Sequence, residues 1–149
     1  MPSEPFLWLL FFLMNFGLMG LNIYQFMTLT DLEADYLNPY ETASRINGVV
    51  IPEFLLHGTF CVLFLLAGNW IFFLITLLPA YLNARRYLER QHLIDVTEIF
   101  RKVNDEKKLR TIKMGFHLIL FVFILIRLIF SFINAVADED EQLHFYGLF

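Results

Sequence analysis

Catalysis inside a membrane needs acids and bases that converge from different spans, and Glu53, His57 and Arg127 are the only such set in this 149-residue sequence. Their chemistry would be proton transfer beside a fixed cation. The remaining histidines, His92, His117 and His144, have no metal-ligand spacing, and His57 and His117 read as hydrogen-bonded interior or interfacial residues. No Gly-x-Ser-x-Gly elbow, His-Glu-x-x-His pair or phosphate-cradling glycine loop is present. The single cysteine, Cys61, allows no internal disulfide and reads as packing. No catalytic residue, cofactor or metal is therefore expected.

Amides and one buried guanidinium offer a different chemistry, that of recognition within lipid. Asn15, Asn22 and Gln25 fall on one face of a helix by the 100° advance per residue, and Ser131 and Asn134 follow Arg127 at i+4 and i+7. Such amides seek partners worth about 0.6–2 kcal/mol each. One reading makes both stripes glue within the protein, with Glu53 or a first-span amide opposite Arg127. The other makes these six residues, with Gly17 and Gly20 opening the first-span stripe, a surface for another protein's transmembrane helix, or, for Arg127, for a lipid headgroup.

The elements that must carry these residues follow from composition. Apolar residues make up 58% of the chain, aromatics 17%, and mean hydropathy is +0.58, beyond what a water-soluble surface tolerates. They gather in uncharged blocks at 6–29, 54–82 and 114–137, the last interrupted by Arg127 alone. A crossing takes about 20 helical residues. The first block lacks a basic leader and exceeds a signal peptide's apolar run, so it reads as a retained anchor. The stretch 49–82 overshoots one crossing by about 20 Å. A turn at Gly68 and Asn69 would divide it, with Pro52 in a first helical turn and Trp70 at the interface.

The expected fold is thus an all-α integral membrane bundle of four transmembrane helices at about 6–29, 52–67, 70–82 and 114–137; three spans is the alternative. The net charge of −4 conceals a segregation: nine of the eleven Lys and Arg residues lie within 85–113. The positive-inside rule makes 83–113 cytosolic. Four spans then make 30–51 cytosolic too and leave the acidic tail, 138–149, luminal. The basic stretch lacks the interleaved aromatics of a nucleic-acid surface. Leu93, Val96, Phe100 and Val103 recur at helical spacing, which predicts an amphipathic helix over 92–103 along the cytosolic membrane face. With few ionisable groups in the spans and no inverted repeat, a channel or transporter is disfavoured.

The run LTDLEADYLNPYETASRIN at 29–47, followed by VIPEFLLHGTFCVLFLLAGNW at 50–70, resembles the signature of the cornichon family. Its elements stand here as Asp35, Tyr36, Asn38 and Pro39, then Pro52, Glu53 and His57, then Cys61 to Leu65 and Trp70. LIDVTEIFR at 93–101 and MGFHLILFVFILIRLI from Met114 are similar to plant and fungal members. The resemblance implies a non-enzymatic cargo receptor that selects transmembrane clients such as transporters, channels and receptors. It would cycle between the endoplasmic reticulum and early Golgi membranes in COPII vesicles. It assigns coat binding to Ile99, Phe100, Arg101, Lys102 and Val103, an exposed Ile-Phe pair beside a cation, departing from the fungal pattern at Lys102 and Val103. Expected partners are clients, the COPII coat, the lipid bilayer and a second copy of the chain. The alternative function is an auxiliary subunit of a plasma-membrane channel or transporter.

Overall fold

The computed structural model describes residues 4–90 and 92–145. Four helices carry the chain: α1 (Glu4–Glu33), α2 (Pro39–Leu66), α3 (Trp70–Leu88) and α4 (Ile99–Phe145), with a 3-10 turn at Val96–Glu98 leading into α4. Each packs on its sequence neighbour and α4 closes the ring against α1. Helices α1, α2 and α4 are long and apolar enough to cross a membrane.

Local chemistry sets each boundary. Helix α1 ends in a Schellman motif, with Asp35 N–H on Leu32 O (3.1 Å) and Tyr36 N–H on Asp31 O (2.9 Å), and Asp35 takes the left-handed φ of 62°. Asn38 then caps α2 by accepting from Glu41 N–H at 2.7 Å, and Pro39 supplies the first helical residue. The Asp-Tyr-x-Asn-Pro signature is therefore a stop and a restart. The same device ends α2, where Gly68 N–H reaches Leu65 O (3.1 Å) and Asn69 N–H reaches Phe64 O (3.1 Å), with Gly68 at φ 77°. The expected hairpin turn thus stands at Gly68 and Asn69. Asp95 caps the 3-10 turn, and the Thr97 backbone N–H holds its carboxyl below the usual range.

Several expected boundaries move. The segment 30–51, expected as a loop, is mostly helix, because the reversal needs only residues 34–38. Pro52 lies inside α2 rather than in a first turn. The amphipathic helix expected at 92–103 is an irregular stretch, one 3-10 turn and the start of α4. Asn47 holds that stretch to α2, donating to Ile94 O at 3.1 Å and accepting from Ile94 N–H at 2.7 Å. The acidic run 138–141 continues α4 as exposed helix. Residues 146–149 of the expected tail lie outside the described residues.

Buried positions recur every three or four residues, as in a coiled coil. On α1 they are Trp8, Phe11, Asn15, Leu18, Asn22, Gln25, Leu29 and Leu32; on α2, Ala43, Ile46, Val50, Glu53, His57, Phe60 and Phe64. On α4 the seam runs from Ile99 and Val103 through Glu106, Arg110, Lys113, His117, Leu120 and Ile124. It then passes to Leu128, because a straight helix turns slightly less per residue than the heptad repeat and so carries Arg127 off the seam. The result is three layers. An aromatic core around Trp8, Phe11, Phe60 and Phe64 fills the hairpin end, and an aliphatic core around Leu29, Ile46, Ile99 and Val103 fills the basic end. Polar side chains lie between them.

Gly58 and Gly68 both have open space where a Cβ would sit, but only Gly68 has a positive φ. Gly68→Ala should lower stability by about 1 kcal/mol, whereas Gly58→Ala, within α2, should raise it by about 0.5–1 kcal/mol. Unfolding of both variants in detergent micelles checks the opposite signs.

Candidate functional site

The middle layer gathers most of the residues with distinctive chemistry. At its centre the Glu53 carboxylate, 2% exposed, accepts from Gln25 Nε2 (3.3 Å) and faces Lys113 Nζ (3.5 Å). The Lys113 ammonium also lies 5.1 Å from the centre of the Phe54 ring. Gln25 accepts in turn from Arg110 Nε at 3.0 Å. Arg110 pairs with Glu106, which also holds Arg86 at 2.6 Å. One chain of hydrogen bonds and ion pairs therefore joins α1, α2, α3 and α4. Burial of such charges is tolerable only because each meets an opposite charge or an amide.

A second, neutral relay lies nearer the hairpin end. Asn15 Nδ2 donates to the His117 carbonyl at 3.0 Å, which turns its Oδ1 toward His117 Nδ1 at 3.1 Å. An amide oxygen only accepts, so Nδ1 carries the proton. His57 Nε2 must likewise donate to Thr76 O at 2.9 Å, tying α2 to α3. Thr76 Oγ1 donates to Phe73 O at 2.9 Å and approaches Cys61 Sγ at 3.5 Å. The two imidazoles meet edge to face, with ring centres 5.5 Å apart.

These contacts decide between the two readings of the amide stripe. Asn15, Asn22 and Gln25 are each 1% exposed, turned into the bundle rather than toward another protein. The expectation of a client-facing stripe on α1 is corrected accordingly: unpaired amides facing hydrocarbon cost more than amides that find partners inside. Asn22 donates to Leu18 O at 3.0 Å, and its Oδ1 is buried without a partner among the described residues. Arg127 does not meet Glu53 or a first-span amide; its guanidinium lies over Trp8, 5.2 Å from the ring centre, and the side chain is exposed. Ser131 is buried and Asn134 exposed, so the expected polar face of α4 is divided. Glu53, His57 and Arg127 consequently form no convergent acid–base set. Trp70 stands exposed at the start of α3.

The segment expected to offer an exposed Ile-Phe pair is divided as well. Ile99 (2% exposed) and Val103 (7%) sit in the aliphatic core, and only Phe100 (60%) points outward. Helical geometry requires this, since adjacent residues point about 100° apart. Arg101 and Lys102 both bridge to Glu98, at 2.6 and 3.0 Å.

Reading the chain by apolar blocks missed Glu106, Arg110 and Lys113. Their signal was available: 106, 110, 113 and 117 continue in register with the apolar seam at 120 and 124. Glu53→Gln should destabilise the protein by about 3–5 kcal/mol, because Lys113 is left as a buried cation without its counter-charge. Adding Lys113→Met to that variant should recover part of the loss. Equilibrium unfolding of both singles and the double checks this, and strictly additive losses would contradict the pairing.

The family profile described as "Cornichon protein" matches residues 5–126. "Protein cornichon homolog 2" of Oryza sativa subsp. japonica is 46% identical over 96% of each chain. "Protein cornichon homolog 4" of Arabidopsis thaliana is 45% identical over 91% of this chain and 96% of its own. The "ER-derived vesicles protein erv14" of Schizosaccharomyces pombe is 34% identical over 90% of this chain and 98% of its own. The profile spans the reversal at Asp35 to Pro39, the Glu53 layer and the hairpin, and with these relatives it establishes that the chain belongs to the cornichon family.

Proposed function

We propose that this chain is a cargo receptor that selects transmembrane clients for vesicle export from the endoplasmic reticulum, residing there and in the early Golgi. The observation that carries the reading is membership of the family together with near full-length similarity to a fungal relative named for vesicles derived from the endoplasmic reticulum. The architecture agrees with it: polar groups are spent inside, and the outer surface toward the lipid is apolar. The basic end is proposed to be cytosolic and both termini luminal. A glycosylation acceptor appended after residue 149 should be modified; an unmodified tail open to cytosolic protease would overturn this orientation.

For clients, the groove of about 490 Å³ between α2 and α3 is the proposed outward surface. Gly58, Ala80 and Ala84 let a foreign helix approach closely. For the COPII coat, Phe100, Arg101 and Lys102 are the reachable part of the proposed segment, and Ile99 and Val103 anchor it.

Gly58→Leu with Ala84→Leu should fill the groove and retain clients in the endoplasmic reticulum, measured as their surface fraction, without lowering the melting temperature. Unchanged export would place clients on another face. Phe100→Ala should reduce the receptor's own packaging into vesicles with its melting unaltered, whereas Ile99→Ala should lower melting by about 2–4 kcal/mol of stability.

A further inference from the structure

Arg127 is a cation that lies outside the polar layer. It lies fourteen positions beyond Lys113 on α4, about 21 Å along the helix, at the level of Trp8 and the hairpin turn. Among the described residues no carboxylate pairs with it. The groove it lines, about 580 Å³ between α3 and α4, is otherwise walled by Gly68, Asn69, Phe72, Ile75 and Phe123 and their neighbours. Asn69, Trp70, Ile71 and Phe72, the N-terminus of this 19-residue helix, line the same groove; Asn69 supplies no side-chain cap, and the Trp70 N–H is taken by Gly68 O at 3.2 Å. A guanidinium and a helix N-terminus converge there, and both favour an anion.

Depth makes the anion a lipid's. The helix reversal at residues 67–69 places Trp70, 63% exposed, at this end of the hairpin, and an exposed indole favours the headgroup region, so the polar boundary of the bilayer is set at this level. A phosphate at Arg127 would then sit at the headgroup plane, with the apolar wall running from it toward the membrane interior. Free phosphate would leave that wall unused.

We infer that the α3–α4 groove holds one anionic glycerophospholipid, its phosphate on Arg127 and the first turn of α3 and one acyl chain against Phe72, Ile75 and Phe123. The test is native mass spectrometry of the full chain released from micelles containing equal phosphatidylinositol and phosphatidylcholine. Several-fold preferential retention of phosphatidylinositol is expected. Arg127→Leu should abolish the preference, Arg127→Lys should keep part of it, and Phe123→Ala should weaken retention of both lipids, all without a change in melting. Equal retention of the two lipids by the unaltered protein would overturn the inference, as would a preference that survives Arg127→Leu. Glycerophosphoinositol, which has the headgroup and no chains, should fail to compete; equal competition would overturn the acyl-chain part.

Discussion

One buried carboxylate organises this molecule. Glu53 sits almost out of contact with solvent, and its two oxygens face partners on two other helices, Gln25 of α1 and Lys113 of α4. Moving a charge of this kind out of water is opposed by several kcal/mol unless its partners are in place. The three helices are therefore fixed in azimuth and in axial register at once. A one-residue slip of α4 would turn Lys113 by about 100° away from Glu53. The apolar cores above and below tolerate small shifts; the polar layer does not.

That constraint explains what the outer surface is free to be. With Asn15, Gln25, His57, Glu106 and Arg110 all engaged inside, most of the remaining surface of the membrane-embedded helices is aliphatic and aromatic. Recognition of a foreign helix must then rely on shape and on small residues such as Gly58 and Ala84. A surface of this kind discriminates loosely, which suits a receptor for several different membrane proteins better than a subunit matched to one.

The division of labour along the chain was partly legible in the sequence. Span length gave the membrane bundle, and Gly68-Asn69 gave the hairpin because a left-handed residue is needed wherever a helix must stop and reverse. The Asp-Tyr-x-Asn-Pro run could have been read in the same way, as helix stop and cap, and it was concealed by its place in a family signature. The polar layer was hidden for a different reason. Lys113, Arg110 and Glu106 lie in a charged stretch that reads as solvated loop, and their burial depends on which face α4 turns to α1, a matter of tertiary packing. Phe100 and Ile99 illustrate the limit of short motifs: neighbours in sequence are on different faces of a helix.

The pairing of α1 with α4 also bears on how the protein is made. Asn15 finds His117 across 102 positions, and Gln25 finds Arg110 across 85. As the chain leaves the ribosome, the first helix enters the bilayer with the partners of Asn15 and Gln25 still missing, and it stays incomplete until the last helix emerges. Closing so long a loop is slow compared with forming either helix. During that interval the unsatisfied face of α1 is the natural mark of an unfinished molecule, visible to any chaperone that reads polar groups in lipid. Chains that stop before α4 would keep the mark permanently, so the charged seam that fixes the finished bundle would also distinguish completed molecules from fragments.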